Sequence, residues 1–239
     1  MNRIFITGDL HLNVDIKKLS FKNWPMSREL DHSDVLIVCG DAGLTWNDSN
    51  ETKYWCDWLE SKPYTTICCA GNHEGYHILN ALPSERRYGG LVHVVRPHIM
   101  YSFSGEVLNI NDKTFFFQNG AASTDKAYRK EGVSWWSEEI PSYEDFEYGE
   151  DNLRAQDMKV DYIISHTTSN RTIQKFDKFF PRFDAVTNFL DKFVEEEVDY
   201  KINFFGHFHQ DRTIDEKHIL LYNDIIEILP DGTIKVVNN

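Results

Sequence analysis

The sequence lacks two features that mark large classes of protein. No apolar run approaches the roughly 18 residues that a membrane-spanning helix needs, although 41% of the 239 residues are hydrophobic. Basic residues are also in deficit, 25 against 38 acidic ones, which gives a net charge of −13. Because duplex nucleic acid is bound through a basic surface, we expect neither duplex nucleic acid nor a membrane as a partner.

Cysteine is scarce, and its positions argue against a thiolate metal site. The four cysteines are Cys39, Cys56, Cys68 and Cys69, and no two have the CxxC spacing of a zinc ligand pair. Three of them lie in apolar, strand-like runs, where buried and reduced thiols are expected. The first residues enter such a run at once and do not have the layout of a signal peptide. These features favour a cytoplasmic protein.

The sequence does contain a set of short apolar runs that each end abruptly in a polar group. Continuous runs of this length, without polar alternation, predict strands that are covered on both faces. There are six, at residues 3–7, 35–39, 66–70, 115–118, 161–165 and 202–205. Several strands separated by helical segments predict an α/β fold.

Helices are predicted between these runs, and a hairpin near the end of the chain. Residues 51–61 and 181–197 space their apolar side chains along one helix face. A proline–aspartate–glycine turn separates two strands predicted within residues 219–229 and 233–237. No linker, repeat or low-complexity tract divides the sequence. We therefore expect a single domain over residues 1–239.

Side chains that bind metals follow five of the six apolar runs. They are Asp9 and His11, Asp41, Asn72, His166, and His207 and His209. Because sites in α/β sheets gather at the carboxyl ends of strands, we expect these side chains to lie close together. Carboxylate, imidazole and amide-oxygen ligands suit divalent metals such as Mn, Fe, Zn or Co. The absence of thiolates among them argues against a structural zinc site.

These residues and their glycine neighbours resemble, in order and spacing, the motif set of the calcineurin-like metallophosphoesterases. The matching motifs are Asp9-x-His11, Gly40-Asp41, Gly71-Asn72-His73-Glu74, His166 and Gly206-His207-x-His209. The resemblance implies a four-layer αββα fold, a two-sheet β sandwich flanked by helices. It also implies two divalent or trivalent metal ions, with Mn or Fe expected and Zn, Co or Ni as alternatives.

The resemblance further implies a role for each motif residue. Asp41 would bridge the two metals, and the remaining ligands would divide into two sets, Asp9 with His11 and His209, and Asn72 with His166 and His207. His73 would bind no metal and would protonate the leaving oxygen or steady the phosphoryl group. The implied reaction is hydrolysis of a phosphate ester by a hydroxide that bridges the metals. Asp41 and His73 are therefore the predicted catalytic residues.

The substrate is less well defined by the sequence. The acidic composition favours small phosphorylated substrates, such as nucleotides, over long polynucleotides. The chain after Asp41 lacks the arginine found there in protein serine/threonine phosphatases, which disfavours a phosphoprotein substrate. Phosphodiesterase and phosphatase activity both remain open. The alternative is a non-catalytic, metal-binding scaffold with the same fold.

The segment 121–158 is polar and aromatic, and it predicts a loop with one or two short helices. Part of it resembles a block found in a bacterial and phage branch of the same superfamily. Arg129 is predicted either to grip a substrate phosphate or to pair with a nearby acid. Trp135 and Trp136 are predicted to form a local packing cluster, with stacking on a substrate as the alternative.

Overall fold

Two β-sheets packed face to face organise the chain, and helices cover their outer faces. The structure is a computed structural model that describes residues 2–179 and 183–238. Its strands, in chain order, are β1 (Ile4–Thr7), β2 (Val35–Val38), β3 (Thr65–Cys68), β4 (Ser84–Arg87), β5 (Gly90–Arg96), β6 (Ile99–Ser102), β7 (Glu106–Ile110), β8 (Lys113–Gln118), β9 (Tyr162–Ser165), β10 (Ile202–Phe205), β11 (Arg212–Thr213), β12 (His218–Leu220), β13 (Ile225–Ile228) and β14 (Ile234–Val236). Its α-helices are α1 (Asn50–Glu60), α2 (Tyr76–Leu79), α3 (Tyr143–Ala155), α4 (Asn170–Phe176), α5 (Ala185–Phe189) and α6 (Glu195–Glu197).

The strand order brings the carboxyl ends of the central strands to one edge of the molecule. The first sheet has the order β14-β13-β1-β2-β3-β6-β5-β4, and the second has the order β11-β12-β10-β9-β8-β7. Strands β1, β2 and β3 run parallel to one another, as do β8, β9 and β10. Parallel neighbours end on the same side of a sheet, so the loops after these strands lie together.

Alternation of apolar side chains along each strand creates the layers. In β1, Ile4 and Ile6 point between the sheets, and in β8, Phe115 and Phe117 meet them there. The residue between each pair points outwards, where Phe5 packs under the helices of the first sheet. The second sheet has its own outer core, which α3, α5 and the turns beside them cover. This arrangement confirms the predicted α/β fold with a two-sheet sandwich between helical layers.

The predicted strands and helices recur with small changes. All six apolar runs are strands, namely β1, β2, β3, β8, β9 and β10. The helix predicted at residues 51–61 is α1, which begins after Ser49, whose hydroxyl accepts a hydrogen bond from the Thr52 amide. Of the helix predicted at 181–197, the first two residues lie outside the described part of the chain. The rest begins after the N-cap Asp184 and runs through α5, a π-helical turn at Leu190–Val194 and α6.

The strand predicted within residues 219–229 is two strands in different sheets, so that prediction was wrong in its extent. Strand β12 belongs to the second sheet and β13 to the first. Between them the chain crosses from one sheet to the other, and the Asp211 carboxylate accepts hydrogen bonds from three successive backbone amides there, those of Tyr222, Asn223 and Asp224. The predicted hairpin is confirmed, because β13 pairs antiparallel with β14.

The segment 121–158 contains more helix than its sequence indicated. Two 3-10 turns, Lys126–Tyr128 and Ser137–Glu139, are followed by the 13-residue helix α3. A reciprocal capping box between Ser142 and Asp145 starts this helix, which offsets its weak apolar pattern. The four cysteines are buried and free. Among residues 2–179 and 183–238, no helix has the length and apolar character required to cross a membrane.

Candidate metal centre

The loops that follow five central strands bring all seven predicted ligand side chains to one edge of the sandwich. Asp9, Asp41 and Asn72 follow strands of the first sheet, and His166 and the pair His207 and His209 follow strands of the second. Asp9, Asp41 and His166 are buried, whereas His209 is exposed at the surface. The cluster at the sheet edge therefore extends from the exposed His209 to buried residues near the core.

Asp41 lies at the middle of this cluster, with its two oxygens facing different imidazoles. Its Oδ1 is 3.2 Å from His166 Nε2, and its Oδ2 is 3.3 Å from His11 Nε2. The His73 backbone amide donates to Oδ1 at 2.7 Å, which fixes the carboxylate. A carboxylate in this position can share its oxygens between two metal ions.

The other ligands group on the two sides of Asp41. On one side, Asp9 Oδ2 is 3.2 Å from His209 Nε2, and ligand atoms of Asp9, His11 and His209 all lie within 4.8 Å of one another. On the other side, Asn72 Oδ1 is 3.1 Å from His166 Nε2. The rings of His166 and His207 lie next to each other, with centroids 4.9 Å apart. Ligand atoms of Asp9, Asp41 and His166 also lie within 4.8 Å of one another, so the division into the two ligand sets that the resemblance implied stays a prediction.

In His11 and His166 the Nδ1 atom is held by a hydrogen bond on the outer side of the ring, so the Nε2 atom points into the centre. His11 Nδ1 contacts Asp15 Oδ2 at 2.8 Å, and His166 Nδ1 donates to the Cys39 carbonyl at 3.0 Å. Histidines that bind metals are typically held in this way. His11 Nε2 is buried, and its 3.3 Å contact with Asp41 Oδ2 does not have hydrogen-bond geometry. An unpaired inward nitrogen, beside carboxylate oxygens and without thiolates, fits a divalent metal ion.

Four of the predicted ligands have a strained backbone. His11, Asp41, His207 and His209 have φ angles of 40°, 49°, 71° and 51°. This left-handed region costs a non-glycine residue about 1–2 kcal/mol and persists only where the surroundings impose it. Gly40, before Asp41, has φ of +106°, and a Cβ there would collide with the His166 ring. The strained backbone aims these side chains into the centre.

The buried charges of the centre are coupled to one another. Burial alone would raise the pKa of Asp41, but His166 and His11 hold it well below its ordinary value. Burial likewise opposes charge on His11 and His166, yet the carboxylates of Asp41 and Asp9 raise both pKa values to about 9. The two buried carboxylates thus require positive charge nearby. Metal ions can supply that charge and displace the imidazole protons.

His73 lies beside the cluster, on the Asp41 and His11 side. A ring nitrogen of His73 is within 4.8 Å of ligand atoms of both residues. The Trp46 ring stacks on the imidazole, with centroids 5.5 Å apart and 22° between the planes. Burial lowers the pKa of His73, and the charges of His11 and Arg129 lower it further. The Asp41 carboxylate acts in the opposite direction and raises it. The ring is therefore held neutral at the rim of the centre.

Arg129 pairs with a nearby acid, one of the two alternatives that the sequence left open, and the phosphate contact stays a prediction. Its Nε pairs with Asp125 Oδ1 at 2.6 Å, so it is bonded to a nearby acid. Its Nη2 also lies 3.1 Å from His73 Nε2, so it reaches the centre. Trp136 is buried and packs edge-on against Trp46 at 4.9 Å, as a packing cluster predicts. Trp135 lies apart from it, with Lys126 Nζ 5.4 Å from its ring centroid.

Lys18 supports the centre from the side of the core, a role that no local sequence pattern indicates. Its buried ammonium donates to the backbone carbonyls of Gly8 and Asp9, at 3.2 and 2.7 Å, and to that of Tyr222. Burial lowers its pKa to about 8. The sequence Ile-Lys-Lys-Leu in which it lies resembles an ordinary helix surface. Only the fold shows that one of its two lysines points inwards.

Two buried acids outside the ligand set hold the loops in place. Glu139 accepts hydrogen bonds from the amide and hydroxyl of Ser123, at 2.8 and 2.6 Å, and Ser123 Oγ contacts Asn72 Nδ2 at 3.3 Å. Glu74 accepts from the Gly43 amide and the Tyr101 hydroxyl. Burial raises the pKa of Glu74 to about 8. These contacts join segments far apart in sequence, so no local pattern indicates them.

A sandwich of two sheets between helices, with carboxylates and imidazoles clustered at the strand ends, defines a class, the metal-dependent hydrolases. Residues 2–211 match the model of one family in that class, described as calcineurin-like phosphoesterase. The chain therefore belongs to the calcineurin-like phosphoesterase family. It is a metal-dependent hydrolase that acts on phosphoric esters.

Similar proteins of known sequence or structure are distant. A search of curated proteins finds no significant match. Among solved structures, phosphopantetheinyl hydrolase from Mycobacterium tuberculosis is 16% identical, with a TM-score of 0.41, over 92% of this chain and 88% of that one. The cold-active protein-tyrosine phosphatase of a psychrophile Shewanella species is 14% identical, with a TM-score of 0.37, over 99% and 80%. Neither similarity is high enough to transfer a substrate to this chain.

Proposed function

We propose that this phosphoesterase works with two metal ions held at the strand-end cluster, and that it hydrolyses small phosphorylated molecules such as nucleotides. The position of Asp41 is the observation that carries the proposal. Its two oxygens face imidazoles from different sides, 3.2 and 3.3 Å away, as a ligand shared by two metals requires. A structural site for one ion has no need of such a bridge.

The residues that would hold the ions are those that flank Asp41. Asp9, His11 and His209 would bind one, and Asn72, His166 and His207 the other. Oxygen and imidazole nitrogen donors support Mn or Fe, with Zn, Co or Ni as alternatives. Two bound ions supply Lewis acidity towards phosphate oxygens and an acidified water as nucleophile.

The chain itself supplies a proton donor, His73, and an aromatic ring, Trp46, that shields it. His73 is placed to give a proton to the leaving oxygen once bound phosphate displaces Arg129 from its Nε2 and the ring takes up a proton there, a step typically worth about 10²–10⁴ in rate. The Trp46 ring, stacked on His73, fixes the plane of the imidazole and excludes water from that face. The net charge of −13 supports small substrates over polynucleotides.

Two further features belong to this proposal. The pairing of β1, near the start of the chain, with β13, near its end, supports a single domain over residues 1–239. Four free, buried thiols support a reducing, cytoplasmic location.

The test compares initial rates on nitrophenyl phosphate and bis-nitrophenyl phosphate in the presence of Mn²⁺. We expect the wild type to hydrolyse at least one, and Asp41→Asn to lose at least about 100-fold, since it removes the shared charge. Asp48→Asn makes the same chemical change at an exposed residue and is expected to stay within twofold. Metal content is measured for each protein. If metal-loaded wild type hydrolyses neither ester, the chain is instead a metal-binding scaffold.

A further inference from the structure

The guanidinium of Arg129 is held rigidly at the rim of the metal centre. Nε pairs with Asp125, and Nη1 donates to the Ser134 carbonyl at 3.1 Å. These two contacts fix the plane of the group and leave Nη2 directed at His73 Nε2, 3.1 Å away. The side chain is only 16% exposed. Arg129 thus presents one aimed donor to the centre.

Among the described residues, the acceptor that this donor reaches is the ring nitrogen of His73, which is a weak one. A guanidinium has only N–H donors, so His73 Nε2 must accept, which requires a neutral imidazole. A neutral nitrogen is a weaker acceptor than a charged oxygen, and charge-assisted bonds are roughly twice as strong. An anionic oxygen arriving beside His73 would therefore take over the Nη2 donor.

The segment that carries Arg129 is anchored to the centre. The amide of Ala122 donates to Asp184 at 2.8 Å, and Ser123 is held by Glu139 and contacts Asn72. Residues 122 and 123 precede the 3-10 turn Lys126–Tyr128, which Arg129 follows directly. Its position is consequently tied to a predicted metal ligand, as a substrate-binding group requires.

The number of anionic oxygens distinguishes the two classes of ester that the proposed function leaves open. A phosphomonoester has three terminal oxygens and a charge close to −2 at neutral pH, because its second pKa is about 6. A diester has two terminal oxygens and a single charge, and its fourth substituent is an uncharged ester group. Where the two metal ions hold two terminal oxygens, only the monoester has a third charged oxygen left for a cationic donor at the rim.

From this geometry, and resting on the proposed function, we propose that Arg129 binds the additional terminal oxygen of a phosphomonoester and makes the chain a phosphomonoesterase. The substrate class is a small molecule with a terminal, dianionic phosphate. Diesters leave the guanidinium on His73 and lose that interaction.

The first test measures binding rather than turnover. Calorimetry on Mn²⁺-loaded protein compares inorganic phosphate, a dianion, with dimethyl phosphate, a diester analogue that carries one charge. We expect Arg129→Met to weaken phosphate binding about 10- to 100-fold, the value of one charge-assisted hydrogen bond. Dimethyl phosphate is expected to change less than threefold. Lys130→Met removes the same charge from the next, exposed residue and should change neither.

A second variant separates binding from folding. Arg129→Lys keeps the charge but not the planar fork, and we expect it to regain part of the phosphate affinity. If Arg129→Met and Arg129→Lys weaken both anions equally, Arg129 serves only to hold the segment, and the proposal is wrong. It is also wrong if wild type binds dimethyl phosphate as tightly as phosphate.

Turnover then distinguishes this proposal from the one on which it rests. We expect the wild type to prefer nitrophenyl phosphate, and Arg129→Met to lower kcat/KM for the monoester about 10- to 100-fold more than for the diester. Hydrolysis with a diester preference overturns the role of Arg129 and leaves the phosphoesterase in place. Absence of any hydrolysis overturns the proposed function, while the anion comparison still decides what Arg129 binds.

Discussion

At the scale of single residues, the orientation of the Asn72 amide depends on a relay through Ser123. The Glu139 carboxylate accepts from the Ser123 hydroxyl, so the oxygen of that hydroxyl is left to accept from Asn72 Nδ2. The amide can satisfy this contact only with Nδ2 outwards, and Oδ1 therefore faces His166. The relay selects the oxygen, which is the atom a metal requires.

Ser123→Ala tests this relay. Without the hydroxyl the amide can rotate, and contacts of this outer kind are typically worth 10- to 100-fold in metal affinity. We expect Mn²⁺ binding, measured by calorimetry, to weaken about tenfold, while the thermal stability of metal-free protein changes little. Ser134→Ala is the matched control, because this hydroxyl hydrogen-bonds to Lys130 in the same segment. Unchanged affinity in Ser123→Ala would show that the amide is oriented by other contacts.

Residues of the centre differ in how far sequence predicts them. Asp9, Asp41 and His166 come directly after apolar strands that the sequence predicts. Because parallel strands end at the same edge of a sheet, strand direction alone predicts that these side chains lie together. Ser123 and Lys18 act through contacts with residues remote in sequence. A buried lysine and an exposed one have the same local pattern, because the difference is made by what packs over them.

At the scale of elements, Lys18 joins three parts of the chain. It lies in the 3-10 turn Ile16–Leu19 and donates to the carbonyls at the end of β1 and at the crossing between β12 and β13. We expect Lys18→Met to lower the free energy of unfolding by about 3 kcal/mol, since it leaves buried carbonyls unsatisfied. Urea denaturation measures the loss. Lys17→Met, at the exposed neighbour, should cost less than about 0.5 kcal/mol, and equal losses in both variants would refute the anchoring role.

Two elements that the sequence did not predict in full, β4 and α3, have a weak apolar pattern or none. Strands β4 to β7 occupy residues 84–110, and β4 is Ser-Glu-Arg-Arg with its side chains largely exposed. An edge strand of this kind is held by backbone pairing to β5 and has no apolar pattern of its own. Helix α3 was underestimated because its cap and its packing on β7, rather than its apolar spacing, stabilise it.

At the scale of the whole molecule, a buried cluster around His218 ties the second sheet to the helices that cover it. The imidazole contacts Asp215 at 2.8 Å and Glu195 at 2.7 Å, so it joins β12 to α6. Glu195 also accepts from the hydroxyls of Ser169 and Tyr200. Burial would raise the pKa of Glu195, but His218 and these donors lower it to about 2.

This cluster predicts a loss of stability in acid. The pKa of Glu195 falls from 4.5 to about 2 on folding, so its contribution is present above about pH 4.5 and is lost as pH falls towards 2. We expect His218→Asn to lower the free energy of unfolding by about 2 kcal/mol at pH 7, and the gap from wild type to narrow below pH 4.5. Denaturation across pH 2–7 measures the gap, with exposed His32→Asn as control. A gap that stays constant with pH would contradict the role of Glu195.

The pairing of the two ends of the chain has a consequence for biosynthesis. Strand β1 pairs with β13, in the register Ile4 with Ile228, and Asp9 meets His209 at the centre. A ribosome that adds about 5–20 residues per second needs on the order of ten seconds or more to pass from one partner to the other. During that time one edge of β1 lacks its strand, and the nascent chain holds only part of its ligand set. A chain shortened before His209 is therefore expected to lack one predicted ligand and the strand that covers this edge of β1.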